Sequence, residues 1–306
     1  MNIRDFSLLS LICLIWGMNL IVSRWVFIAT DLDPLFYAGL RFGLIALVLT
    51  PIFFQRWPEK LHRIFLISLC IGSAHFGLLF YGLANASASS AAVVGQLGVP
   101  FSTILSMVFL GEKVRWRRGL GILLAFAGVV IISVNPDSIS ISIGLLYIMA
   151  SAFVGSVGAI LMKQVSGLTG MRMQSWVGVF SFLPLFILSA FIEGGDGGFL
   201  GQVKAFADGG WLLWLATAFA VIGVSIFGHG SFYMLIQKYD VSLLSPLTLM
   251  VPVWGVILGV LLLGEPFTVQ FLIGGAVSLA GILIIALRPN KKLPIAAIAK
   301  KLISGS

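Results

Sequence analysis

The chain has 306 residues, of which 59% are hydrophobic and 10% charged, and its mean hydropathy is +1.09. That balance lies outside the range of water-soluble domains and makes a lipid bilayer the main solvent. A formal charge of +8 would suggest nucleic acid in a soluble chain, but here the placement of the basic residues explains it without such a partner.

A bilayer core about 30 Å thick takes roughly 20 apolar residues per helix. Ten such runs occur, near 6–28, 34–54, 61–84, 87–110, 118–134, 142–163, 171–193, 211–236, 242–263 and 268–288. The first is too long for the apolar region of a cleavable leader and lacks a small-residue cleavage pattern. Continuous apolar runs exclude a closed β-barrel, whose strands alternate. Cys13 and Cys70 fall inside apolar runs without metal-ligand spacing and indicate neither a disulfide framework nor a metal site. A five-residue glycine-rich cluster, Gly194–Gly198, reads as the flexible start of an external loop.

With a cytoplasmic N-terminus, the segments on that side collect Arg4, Arg56, Lys60, Arg63, Lys113, Arg115, Arg117, Arg118, Lys163, Arg172, Lys238, Arg288, Lys291, Lys292, Lys300 and Lys301. These are sixteen of the nineteen basic residues. Only Arg24 and Lys204 fall on the other side, and Arg41 lies within a span. The positive-inside rule then predicts an inner-membrane protein with both termini cytoplasmic and a basic tail over 289–306.

The chain also repeats itself. Tyr81, Ser90, Leu97 and Pro100 recur at an offset of 152 as Tyr233, Ser242, Leu249 and Pro252. At an offset of 153, Leu110-Gly111-Glu112, Gly121 and Ala127-Gly128 recur as Leu263-Gly264-Glu265, Gly274 and Ala280-Gly281. Five spans per half is an odd number, so the second half enters from the opposite side, with Glu112 cytoplasmic and Glu265 external. The expected fold is an all-α integral membrane protein of ten transmembrane helices, built as two inverted five-helix repeats (1–135 and 136–288) around a central cavity. That is the architecture of secondary transporters.

Trp16-Gly17-x-Asn19, Arg41-Phe42, Tyr81-x-x-Ala84-x-Ala86, Pro100, Leu110-Gly111-Glu112 and the Gly121–Gly128 stretch resemble the drug/metabolite transporter superfamily, specifically its ten-helix EamA family. The resemblance covers residues 6–288 and looks most like exporters of aromatic amino acids of the YddG type. It implies export of amino acids and related metabolites, with drugs, nucleotide sugars and cofactors as cargo of other members. The second-half counterpart of Trp16-Gly17, around Gly155 to Lys163, does not align.

Polar groups at membrane depth are costly and tend to face a cavity or the bundle interior. Trp16, Asn19 and Ser23 share one helical face, which either lines a pore or hydrogen-bonds a neighbouring helix. His75 shares a stripe with Gly72, Leu79 and Gly82, and can bind a substrate carboxylate, carry a proton or be satisfied by another helix. Ser225, His229 and Tyr233 recur at four-residue steps. Gln96, Pro100 and Thr103 fall together, and Pro100, Pro246 and Pro252 each remove a backbone hydrogen bond. Trp176, Phe180 and Trp254 are candidate walls for an apolar side chain, and Tyr81 is either a site residue or an interfacial anchor. Arg41 reads as structural, snorkelling outward or pairing with Asp31 or Asp33. Glu112 and Glu265 read as structural markers of helix ends.

No Asp or Glu occupies the middle of any span, which disfavours a proton-coupled exporter of lipophilic cations. One deep arginine is thin support for a phosphorylated cargo. No phosphate-cradling glycine loop, metal cluster or nucleophile-base pair is present, so neither catalysis nor a cofactor is implied. The leading expectation is a monomeric exporter of neutral, aromatic or large apolar amino acids, working by alternating access with proton coupling left open. Multidrug or other metabolite efflux is the alternative, and a membrane enzyme or channel comes last.

Overall fold

The computed structural model describes residues 1–53, 57–58, 60–110, 116–135, 140–162, 165, 168–193, 197–239, 244 and 247–287. The basic tail, Glu112, Pro246 and the side chain of Tyr233 lie outside them. In chain order the helices are α1 (Ile3–Ala29), α2 (Pro34–Val48), α3 (Leu61–Asn85), α4 (Ala88–Phe109), α5 (Trp116–Ser133), α6 (Ile143–Met162), α7 (Gly170–Ile192), α8 (Gly198–Asp208), α9 (Gly210–Phe232, continuing as helix to Lys238), α10 (Met250–Leu263) and α11 (Val269–Ala286). A two-residue antiparallel ladder pairs Val134–Asn135 with Ser140–Ile141.

Eight of these helices are long and apolar enough to cross a membrane. α2 and α10, at 15 and 14 residues, are shorter apolar helices at the positions of the second and ninth predicted spans. α2 rises about 22 Å, and a short helix, Thr50–Phe53, continues it. α8 corrects the loop expected after the glycine cluster. Gly197 and Gly198 adopt left-handed conformations (φ 100° and 52°), and a helix follows directly.

Helix starts follow local chemistry. Asn2, Ser87, Thr169 and Thr268 each accept a hydrogen bond from a backbone amide of the first turn, and Pro34 supplies a preset φ at the start of α2. In a medium that offers backbone groups no water, other ends recruit distant side chains. Glu193, just past α7, accepts from the Leu35 and Phe36 amides at 2.8 and 3.1 Å and so caps α2. Burial pushes its carboxyl above the usual range despite those bonds. Glu265 caps α4, taking the Ala88 and Ser89 amides at 2.5 and 2.8 Å and the Ser89 hydroxyl. Gly264 stops α10 in the left-handed region (φ 64°), turning the chain so that Glu265 reaches that site. Arg24 donates to the Leu83 and Ala84 carbonyls at 2.7 Å, closing the end of α3. The contacts of Glu193, Glu265 and Arg24 lie on the face where α1 ends. On the opposite face Lys238 and Tyr239 hold Asp5 at 2.5 and 2.6 Å, tying the start of α1 to the end of the α9 helix. That hydrogen bond raises the Lys238 ammonium above its ordinary value.

Packing follows one pattern. α2 lies on α7, α4 on α10 and α5 on α11, while α1·α10 mirrors α6·α4 and α3·α6 mirrors α9·α1. Exchanging the first five predicted spans with the last five maps this set onto itself. The α5·α11 contact is made through glycine. A Cβ on Gly121 would meet the Gly281 carbonyl, and one on Gly128 would meet Ser278 N and the Gly274 carbonyl. As numbers rise along α5 they fall along α11, so the two helices are antiparallel. Gly121 and Gly128 correspond to Gly274 and Gly281 in the repeat. Each glycine therefore meets the counterpart of the other, as in an isologous two-fold contact. Two π-helical segments also correspond: the 152 offset carries Leu69–Ala74 of α3 onto 221–226, inside Phe219–His229 of α9.

Gly128→Leu is expected to abolish a monodisperse folded species on size exclusion in detergent, because backbone of α11 occupies the space a side chain needs. Glu265→Ala leaves two helix-start amides unmatched. A loss of about 1–2 kcal/mol is expected in thermal melts, with Glu265→Gln intermediate, and equal melting of all three proteins would refute the capping role.

Candidate functional site

Arg41 is seven residues into α2, roughly 10 Å below its start. At 1% exposure it neither snorkels nor pairs with Asp31 or Asp33, which corrects the sequence expectation. Its Nη2 donates to Ser225 Oγ of α9 at 3.1 Å and its Nη1 to Asn19 Oδ1 of α1 at 3.5 Å. The guanidinium carbon lies 4.6 Å from the Phe76 ring centroid and 6.0 Å from that of Phe80, both in α3, a cation–π setting in a desolvated place. Arg41 Nε has no hydrogen-bond partner.

The π segment of α9 makes this contact available. Ser225 Oγ donates to the carbonyl five residues back, Ala220, at 3.0 Å and presents its oxygen to Arg41. Four residues on, the His229 ring lies 5.1 Å from the Trp16 indole, which also meets Phe232 at 5.0 Å. Gly228 is what lets the indole in, since a Cβ there would come within 2.9 Å of Trp16 Nε1. That nitrogen is buried and has no partner; the same holds for Ser23 Oγ.

His75 faces α6. Its Nδ1 lies 3.0 Å from the Ser151 carbonyl and 2.8 Å from Ser151 Oγ, and Ser151 Oγ donates to the His75 carbonyl at 2.8 Å. A carbonyl can only accept, so in the uncharged ring Nδ1 carries the proton and Nε2 is left as an acceptor. Gly155 gives the ring its seat, a Cβ there lying 2.9 Å from Nδ1. Both histidines lie within electrostatic reach of Arg41.

Of the residues singled out in the sequence, the structure thus gathers Trp16, Asn19, Ser225 and His229, with His75 beside them on the α6 side. Trp254 packs over Gly17 where α1 meets α10, in the apolar cluster that also holds Trp16 and Phe232. Gln96 sits half-buried in a 3-10 turn, Gly95–Leu97, that interrupts α4. Tyr81 packs on Tyr147 at 5.6 Å near the end of α3. Trp176 and Phe180 lie elsewhere, in an aromatic cluster with Trp57 and Phe65. A cleft of about 590 Å³ between Thr30, Asp31 and the α8 residues Lys204 and Asp208 shares no residue with the Arg41 group. Arg41 is the residue that sequence reasoning left out of the site. The available signal was an arginine well inside an otherwise apolar helix.

The described residues form a multi-pass helical bundle with a polar and aromatic cluster at membrane depth, the general form of a membrane carrier. The model of the EamA-like transporter family matches residues 6–134 and again 142–287, so the chain belongs to that family, within the drug/metabolite transporter superfamily. A "Probable amino-acid metabolite efflux pump" of Salmonella typhimurium is 29% identical over 93% of this chain and 95% of its own length. Its Escherichia coli namesake is 27% identical over the same shares. A "Probable terminal-alkyne amino-acid exporter" of Streptantibioticus cattleyicolor is 24% identical over 89% of this chain and 92% of its own. One solved structure superposes with a TM-score of 0.60 at 17% identity, covering 99% of this chain and 100% of that one; this likeness concerns the fold alone.

Trp176 is 2% exposed, so Trp176→Ala is expected to cost about 3–5 kcal/mol of stability through the void it leaves. A variant that melts like the parent yet transports poorly would instead place Trp176 on the substrate path.

Proposed function

We propose that this transporter exports neutral amino acids, aromatic or large apolar ones foremost, together with related metabolites. In this reading ten helices form two halves, 1–135 and 136–288, inserted with opposite orientation in the inner membrane. Both termini are cytoplasmic, and the halves rock about a central site by alternating access. The observation that carries the reading is the polar cluster of Asn19, Arg41 and Ser225, buried at membrane depth and drawn from both halves, with the half-buried His75 beside it. Such groups are expensive in lipid and persist where they meet cargo. The antiparallel glycine contact of α5 and α11 and the twofold match of the family model support the inverted arrangement, and the names of the relatives support an amino-acid cargo. In this reading the carrier is a monomer.

The Asp5–Lys238–Tyr239 contact closes the cytoplasmic face in this arrangement, and Arg24 and Glu265 organise the outer one. No described carboxylate joins the buried cluster, which favours a cargo without net positive charge over a lipophilic cation.

Counterflow in proteoliposomes tests the cargo. Preloaded phenylalanine or leucine should accelerate uptake of labelled amino acid with saturation, and organic cations should not. Failure of every amino acid alongside success of an organic cation would transfer the assignment to drug efflux. For topology, a cysteine at Lys204 in a background lacking Cys13 and Cys70 should label from outside, and one at Asn2 only after permeabilisation.

A further inference from the structure

Three buried hydrogen-bonding groups around Asn19 have no partner: Arg41 Nε, Trp16 Nε1 and Ser23 Oγ. Trp16 and Ser23 lie three residues before and four after Asn19, so all three stand on one face of α1, with neighbouring Cβ atoms about 5–6 Å apart. Asn19 is hydrogen-bonded to Arg41, which brings the guanidinium to the same face. Among the described residues, no carboxylate is paired with Arg41. Asp5 is held by Lys238, Glu193 caps α2 and Glu265 caps α4. The partners Arg41 does have, an amide oxygen, a hydroxyl and a phenyl face, are all uncharged.

A guanidinium at membrane depth with donors to spare is an unfinished ion pair. An uncompensated charge there is costly, and the Arg41 Nε and Trp16 Nε1 groups, being donors only, cannot satisfy one another. Each of those donors is completed by an oxygen anion. An ammonium can donate to the Ser23 hydroxyl but completes neither N–H, and a neutral apolar group completes none of the three. From this we infer that the Arg41 group is the carboxylate subsite of the carrier: Arg41 forms the charge-assisted bond, Trp16 Nε1 and Ser23 Oγ add neutral ones, and Asn19 and Ser225 hold the guanidinium in place. The transported class is then an α-carboxylate with an apolar or aromatic side chain, the carboxylate entering against α1 and α2. His75 Nε2, freed as an acceptor by the Ser151 contact, is the complementary group for the amino end.

The inference rests on the carrier reading above, and the test separates the two. Full-length protein in proteoliposomes is assayed by counterflow of labelled phenylalanine, with phenylalanine and phenylalaninamide as competitors. The amide keeps the shape and the amine but has no anion. Wild-type protein should prefer the acid by about ten- to a hundredfold, the range of a charge-assisted bond. In Arg41→Gln the acid should fall to the level of the amide. Trp16→Phe keeps the ring and loses the donor, and should weaken the acid by about two- to tenfold with little effect on the amide. An unchanged acid-over-amide ratio in Arg41→Gln overturns the inference. Where Arg41→Gln fails to fold, the wild-type melting temperature decides: the acid should raise it and the amide should not, and equal shifts overturn it. Saturable counterflow with equal use of acid and amide sinks the carboxylate subsite and leaves the carrier standing. Absence of counterflow with any amino acid sinks both.

Discussion

A charge inside a hydrocarbon layer has to be satisfied by the protein that carries it, and Arg41 is where this chain meets that demand. The guanidinium is enclosed by three helices, α1, α3 and α9, each giving it a different kind of contact: an amide oxygen, an aromatic face and a hydroxyl. None of these neutralises it. Hydrogen bonds from dipolar groups offset part of the desolvation cost, and dispersion and quadrupole contacts offset a little more, but an acid would do the most and none of the described acids is there. Two of those acids, Glu193 and Glu265, instead cap helix starts at the rim, where a carboxylate and the N-terminal amides of a helix serve each other. Among the described residues, Arg41 is therefore left without a carboxylate beside it.

The same solvent dictates how the helices are held. Apolar burial gives little drive for helix association in lipid, so close backbone approach and end-capping must supply it. Glycines at 121, 128, 274 and 281 let α5 and α11 touch backbone to backbone, and glycines at 82 and 144 do this for α3 and α6. At the rim, Glu193 reaches α2 from α7 and Glu265 reaches α4 from beyond α10, so each carboxylate fastens one half of the chain to the other. These contacts lie away from the Arg41 group, which leaves the centre free of the strongest constraints.

Hydropathy made the spans legible because twenty apolar residues in sequence have few other uses. The repeat frame made the α5·α11 glycines legible as a pair before any contact was known, and the motif Leu263-Gly264-Glu265 was recognisable as a helix end. Its physical meaning appeared only with the fold: the glycine supplies a left-handed turn and the glutamate caps a helix 176 residues away. Other features were hidden for identifiable reasons. The π segments change the register by which side chains share a face, so four-residue spacing did not reveal that Ser225 meets Arg41 while His229 meets Trp16. Depth along the chain misled for Arg41, because distance from a helix start says nothing of the direction in which a side chain is enclosed. Trp176 and Phe180 were indistinguishable from cavity walls in sequence, since a packed aromatic cluster and a binding surface use the same residues.

The scaffold is close to symmetric and its centre is not. Ser73 and Ser225 correspond at the 152 offset and both lie in π segments, yet Ser73 Oγ donates to the Ser181 carbonyl of α7 while Ser225 Oγ accepts from Arg41. Trp16 stands in a region whose second-half counterpart does not align. A perfect two-fold axis would present the same groups to both ends of whatever lies on it. A cargo with unlike ends, such as the amino acid proposed above, calls for unlike groups to meet its two ends, and so for symmetry broken locally. This chain combines symmetric glycine packing at α5·α11 with an asymmetric set of groups around Arg41.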